Sequence, residues 1–186
     1  SFDRLPEAHE SYFETDKKRV LVTCGTHLKW EKERMVERAK KLSKLYPDYL
    51  FYVTLGEASG LGNAPKRLAE NLLLFDYLPY TDILDKIDFA IHHAGTGIMM
   101  ACIEHEIPSL ILPQDYDQFD NAVRAELAQV GLVARRKTDA EVLRLFKELT
   151  DRTDWSQLKT LAQQSKEYQP TEILYQELGR LLKVDL

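Results

Sequence analysis

Short apolar runs that alternate with helix-spaced segments constrain this chain more than any other feature. Arg19–Cys24 (RVLVTC) is a β-branched run that ends at Gly25, the form of a strand buried on both faces of a parallel sheet. Over residues 30–46, Met35, Val36, Ala39, Leu42 and Leu45 recur on one helical face, and Pro47 stops the helix. Tyr49–Leu55 is the next strand, closed by Gly56, and 57–66 with its SGLGN run is a loop. The alternation continues with strands at Asn71–Asp76, Phe89–His92, Ser109–Leu112 and Leu132–Ala134. Between them fall helices at 80–86, 97–106 and 118–130, the last ended by Gly131. Helices at 139–150, 154–168 and 171–183 finish the chain. Strand and helix taking turns at this spacing predict right-handed βαβ units. The fold class is therefore α/β: a doubly wound, Rossmann-like parallel sheet with helices on both faces. Residues 1–18 are polar and without sustained period, and read as a linker or N-terminal arm before a domain spanning 19–186.

Composition narrows the function. A net charge of -5 argues against a general nucleic-acid binder, which needs a basic excess. No apolar run approaches the roughly 20 residues of a membrane-spanning helix, and no signal peptide is evident. Cys24 and Cys102 lie inside apolar runs and read as buried thiols of a cytoplasmic protein. The start at Ser1 rather than a methionine suggests an excised or processed chain.

In a doubly wound sheet, ligands sit at the carboxyl ends of the strands. Three distinctive loops fall there: Gly25-Thr26-His27, His93–Gly97 and Gln114–Gln118. In Ile91-His92-His93-Ala94-Gly95-Thr96-Gly97 a strand ends, two glycines allow a tight turn, and a helix begins. The free N–H groups at such a helix start favour a phosphate. The glycines alone do not separate a phosphate loop from a packing turn. Adjacent strand residues point to opposite faces, so His92 and His93 do not share a metal, and no cysteine or carboxylate cluster completes a metal site. His92 reads as a buried structural histidine. His93, at the strand's end, is placed to donate to a phosphate oxygen.

This stretch resembles the bacterial form of the donor-site motif of family 1 glycosyltransferases of the GT-B fold, written His-His-Gly-Gly-Ala-Gly-Thr. The likeness continues through Ile107-Pro108, Ile111-Leu112-Pro113-Gln114 and Asp117-Gln118-Phe119-Asp120-Asn121-Ala122, where the family has Asp-Gln-x-x-Asn-Ala. Upstream, Tyr77-Leu78-Pro79-Tyr80 resembles its Trp-Val-Pro-Gln element, and Thr23-Cys24-Gly25-Thr26 its first turn. The resemblance implies the C-terminal, donor-binding half of such an enzyme. It places Gly25, Thr26, His93, Gly95, Thr96 and Gly97 at the donor diphosphate, Asp117 and Gln118 at the donor sugar, and Tyr77 and Tyr80 at the nucleobase. Tyr80 stands where other members have glutamine. Ile98 replaces the family's phosphate-binding hydroxyl, and Ala101 a ribose-binding glutamate.

The same resemblance implies hexosyl transfer to an acceptor hydroxyl from a UDP- or dTDP-linked sugar, with inversion, no metal and no separate cofactor. It also puts the catalytic base on an N-terminal acceptor domain, so no catalytic residue is assigned to this chain, which is expected to be inactive without that partner. A natural stand-alone donor subunit, similar to the small subunit of a two-protein N-acetylglucosaminyltransferase, is a second arrangement. A non-catalytic sugar-nucleotide-binding module is a third. A sugar-nucleotide epimerase sharing the half-fold is disfavoured by the Asp-Gln-x-x-Asn-Ala match.

Overall fold

The computed structural model describes residues 4–25, 29–168 and 180. Helix α1 (Glu7–Glu10) and a single 3₁₀ turn lead into β1 (Lys18–Thr23), α2 (Lys29–Leu45) and β2 (Tyr49–Thr54). Next come β3 (Lys66–Ala69), β4 (Leu72–Phe75), α3 (Tyr80–Ile83), β5 (Phe89–His92) and α4 (Thr96–Glu104). The described part closes with β6 (Ser109–Ile111), α5 (Gln118–Leu127), β7 (Gly131–Val133), α6 (Asp139–Asp151) and α7 (Ser156–Glu167). The helix expected over 171–183 lies outside the described residues, Arg180 apart.

The strands form one sheet in the order β3-β4-β2-β1-β5-β6-β7. Every pairing is parallel except β3 with β4. From β1 the chain winds outward to β2 and β4, then returns to lay β5, β6 and β7 on the other side. The winding direction reverses between β1 and β5, so a crevice opens beyond the carboxyl ends of those two strands.

Side-chain alternation divides the interior into two layers. Val20, Val22, Phe51 and Val53 enter one core with Met35, Ala39 and Leu42 of α2 and Val142, Phe146 and Leu149 of α6. Leu21, Leu50 and Tyr52 enter the other with Ile83, Ile98 and Cys102. Both faces of the central strands are dry, which is why they read as continuous apolar runs rather than alternating ones. Neither cysteine is in a disulfide, and both are buried. Leu45, expected on the apolar face of α2, is 60% exposed at the end of that helix. Among the described residues no helix is long and apolar enough to cross a membrane.

Three departures from the expected elements have physical causes. Strand β3 was expected as loop or unassigned chain; it is a charged edge strand whose register shifts between Arg67 and Ala69, so it carries no apolar run. Helix α5 stops at Leu127 rather than 130, with Gln129 in the left-handed region at φ 57. Gly131, expected only as a helix stop, belongs to β7, where an added Cβ would lie 2.9 Å from the Ser109 carbonyl oxygen.

The polar N-terminal arm is docked. Leu5, His9 and Phe13 are buried in the second core layer or against it. The Phe13 ring stacks on Tyr52 with centroids 4.5 Å apart, and the Tyr52 hydroxyl donates to the Tyr12 carbonyl at 2.8 Å. The Leu5 N–H donates to Asp82 Oδ2 at 2.7 Å. An arm with few apolar residues escapes a periodicity search, yet Leu5 and Phe13 are buried. Phe13→Ala is expected to lower the unfolding free energy by about 3 kcal/mol in urea titration, the usual cost of truncating a buried phenylalanine. A change under ~0.5 kcal/mol, typical of surface sites, would mark the arm as a loose tether.

Candidate functional site

The crevice is built from the turns that follow β1, β5 and β6. After β1, Gly25 takes φ 75, and its N–H donates to Thr23 Oγ1 at 3.1 Å. Thr23 Oγ1 also pairs with the Tyr80 hydroxyl at 3.0 Å. After β5, Ala94 takes φ 67, a backbone state that a side chain disfavours. Its N–H donates to His92 Nδ1 at 3.1 Å, which holds the turn. Gly95 then caps α4 without a side chain, so the first N–H groups of the helix have no side-chain cap. Thr96 and Gly97, in that first turn, are exposed.

The two glycines are required by a histidine. A Cβ on Gly25 would lie 2.8 Å from His93 Cε1, and one on Gly95 would collide with His93 Nε2. The imidazole of His93 therefore occupies the gap between the β1 and β5 turns. Gly97 is different: a Cβ there meets nothing within 4 Å. Burial lowers the His93 pKa, against the raising effect of a hydrogen bond to the Thr23 backbone and of the Asp117 carboxylate. Burial likewise pushes the fully enclosed His92 down to about 3, and the neighbouring His93 adds to the shift. Both rings are neutral at pH 7, so each carries a single N–H donor.

The β6 turn is organised by amides. Gln118 is buried, and its Oε1 accepts from the Gln114 N–H at 3.0 Å and the Asp115 N–H at 3.3 Å. Only its NH₂ group remains for a ligand. Asp117 precedes α5, but its side chain makes no capping hydrogen bond and is exposed. Asn121, one turn on, donates through Nδ2 to the Ala94 carbonyl at 3.0 Å, to Asp117 Oδ2 at 3.3 Å and to Thr96 Oγ1 at 3.4 Å. It ties the β6 turn to the β5 turn. Lys137, at φ 54 before α6, donates to the Pro113 carbonyl at 2.8 Å and to Gln114 Oε1 at 3.3 Å.

The structure thus brings Gly25, His93, Gly95, Thr96, Gly97, Asp117 and Gln118 to one crevice. Thr26 and His27 lie outside the described residues. Tyr77 follows β4 and is half-buried beside Tyr80. The Tyr80 hydroxyl pairs with Thr23 Oγ1, and burial raises its pKa to about 12. Ile98 is buried in the second core layer, so the exposed hydroxyl of the α4 start is that of Thr96. Among the described residues no group of three or more His, Cys, Asp or Glu side chains is arranged to hold a metal ion. Asn121 is legible in the sequence as the third polar member of Asp-Gln-x-x-Asn, but its role in tying the two turns together is not. Lys137 had no signal, because only the fold brings it to this turn.

Two outcomes follow for the turns. Gly97→Ala should leave stability unchanged or raise it by up to about 1 kcal/mol, since alanine favours a helix. Gly95→Ala should cost about 1–3 kcal/mol in the same denaturant assay, because the His93 ring must move. For the histidines, the unfolded chain binds protons near pH 6.5 that folded His92 refuses until about pH 3. Stability is therefore complete above pH 6.5 and falls as the pH drops, with a slope of up to about 1.4 kcal/mol per unit from His92. His92→Gln, followed by urea unfolding across that range, should flatten the curve by that slope.

Comparisons with known proteins show the family and the fold. The sequence profile of the family described as "Erythromycin biosynthesis protein CIII-like, C-terminal domain" matches residues 52–178. A sterol 3-beta-glucosyltransferase of Komagataella phaffii (strain GS115) is 31% identical over 99 residues, which are 53% of this chain and 8% of that protein. The structure of the spinosyn forosaminyltransferase SpnP superposes with TM-score 0.74 at 20% identity, over 93% of this chain and 46% of that one. The Streptomyces sp. SF2575 glycosyltransferase SsfS6, complexed with thymidine diphosphate, superposes with TM-score 0.66 at 20% identity, over 86% of this chain and 40% of that one. The chain spans less than half the length of these relatives. With the family profile matched over more than half of its residues, the chain belongs to the EryCIII-like C-terminal-domain family of GT-B glycosyltransferases.

Proposed function

We propose that this chain is the donor-binding domain of a glycosyltransferase and holds a nucleotide-diphosphate sugar in the crevice beyond β1, β5 and β6. The observation that carries the reading is the α4 start: a helix with no side-chain cap, joined through Asn121 to the turn that bears Asp117 and Gln118. The diphosphate would lie on the N–H groups of Thr96 and Gly97, with Gly25 and Thr26 approaching from the β1 turn and His93 packed between the two turns. Gly97, with open space about it, suits close approach of a phosphate. Asp117 and the NH₂ group of Gln118 would bind hydroxyls of the sugar. Tyr77 would stack on the nucleobase, and Tyr80 would brace the strand end below it through Thr23.

Transfer joins an acceptor hydroxyl oxygen to the anomeric carbon as the bond from that carbon to the diphosphate breaks. The nucleoside diphosphate departs with the electron pair. Negative charge grows on the leaving group, and the positive end of α4 stabilises it. The acceptor proton goes to a base on an N-terminal acceptor domain, which completes the active site; this chain contributes no catalytic base. Thymidine and uridine diphosphates are the candidate carriers, with no metal or further cofactor required by the side chains present. Two buried thiols and a nucleotide-sugar donor suit a cytoplasmic setting.

Calorimetric titration with thymidine and uridine diphosphates and their hexose conjugates tests the reading. One of the diphosphates should bind. Asp117→Ala should weaken the matching nucleotide sugar about tenfold or more, the worth of one hydrogen bond to a charged group, and leave the free diphosphate within about twofold. No binding of any of these ligands at millimolar concentration would overturn the proposal.

A further inference from the structure

Beneath the crevice, α2 and the ends of β1, β5 and β6 line a cavity of about 20 Å³. Its walls are mostly apolar, with Val22, Met35, Leu42 and Leu112 among them, but His92, Glu31 and Arg38 also reach it. Both His92 and Glu31 are 2% exposed. His92 Nδ1 accepts from the Ala94 N–H, so the ring proton sits on Nε2, and that donor is buried without a hydrogen-bond partner. Glu31 gives Oε1 to Arg38, while its Oε2 is buried without a hydrogen-bond partner, Arg34 being 3.7 Å away. A residue with an orphaned donor and a residue with an orphaned acceptor thus line one small space. Buried polar groups are almost always satisfied. A cavity needs roughly 10–15 Å³ to admit one water, so this one has room for about one.

We propose that this cavity is a hydration site, in which one water accepts from His92 Nε2–H and donates to Glu31 Oε2, making Glu31 a positioning residue for the β5 turn. The chain of contacts is continuous. Glu31 anchors the water, the water holds the His92 ring, and His92 Nδ1 holds Ala94 in its left-handed turn. Arg38 extends the same network to the other side, since its guanidinium also donates to the Lys137 carbonyl at 3.1 Å. Lys137 in turn secures Pro113 and Gln114 at the base of the β6 turn. One buried carboxylate on α2 is thereby linked to two of the three turns that build the crevice, those after β5 and β6. The hydration site stands on the cavity and its orphaned atoms. Its consequence for ligand affinity rests on the donor-site reading above.

Three measurements on the whole chain test it. Nitrogen-15 chemical shifts should show His92 as the Nε2–H tautomer, and a high-resolution crystal structure should show a water within hydrogen-bond reach of His92 Nε2 and Glu31 Oε2. An Nδ1–H tautomer or a cavity without water density would overturn the proposal. Glu31→Met removes the acceptor and should speed amide exchange of Ala94 about tenfold relative to Leu21 in the sheet core, the effect of stranding one buried polar group. Glu31→Gln, which keeps hydrogen-bonding capacity at that position, should hold the ratio within about twofold. Equal acceleration at Ala94 and Leu21 would reduce Glu31 to general stability and refute its positioning role. Thymidine diphosphate binding should weaken in Glu31→Met and recover in Glu31→Gln. If the wild-type chain bound neither thymidine nor uridine diphosphate while the tautomer, the water and the Ala94 exchange behaved as stated, the donor-site reading would fall and the hydration site would stand.

Discussion

Strand β5 leaves the sheet through a turn that its own residue disfavours. At φ 67, Ala94 brings its Cβ close to the backbone, and the turn persists because His92 accepts its N–H and Asn121 accepts a role on its other side, donating to its carbonyl. Those two hydrogen bonds set where α4 begins and where its N–H groups point. They also decide where the His93 ring goes, which is the gap that Gly25 and Gly95 leave open. If this turn relaxed, the α4 start, the His93 ring and the Asp117 turn would lose their common frame. The candidate site is organised around one strained backbone position and the neutral histidine that supports it.

The sheet makes that arrangement possible. Because β1 is central, with β2 on one side and β5 on the other, the turns after β1 and β5 are neighbours in space although their residues are far apart in sequence. Both core layers press on these strands, leaving the turns little freedom to shift. The docked arm adds to the second layer, with Phe13 stacked on Tyr52 under the same half of the sheet. On the far side, α5 approaches the sheet through Ala122 and Ala125, which are small enough to bring Asn121 within reach of Ala94. Its larger apolar residues, Phe119, Val123 and Leu127, face outward.

Much of this was legible beforehand because parallel strands buried on both faces leave uninterrupted apolar runs. Strands β1, β2, β4, β5 and β6 were readable to within a residue or two on that ground. Strand β3 was not, since a solvated edge strand bearing Lys66 and Arg67 looks like loop. The arm was not either, as Leu5 and Phe13 are too far apart for a period. At the site, Gly25 and Gly95 read as glycines that allow close approach, and what no local pattern shows is that the His93 ring packs against both of them. Tyr80 reads as a base contact from its place in a motif, and its hydroxyl also pairs with Thr23, which no motif could reveal.

By itself the sequence determined the order of strands and helices, the glycine-bearing turn after a buried strand and the Asp-Gln-x-x-Asn series, because each is a local pattern of burial and backbone need. Tertiary structure alone decided that the chain reverses direction between β1 and β5, and that His92 and a buried carboxylate of α2 line one small cavity. It also decided that Asn121 and Lys137 bind one turn to another. Those facts depend on which residues, distant along the chain, are packed side by side, and local periodicity carries no record of such pairings.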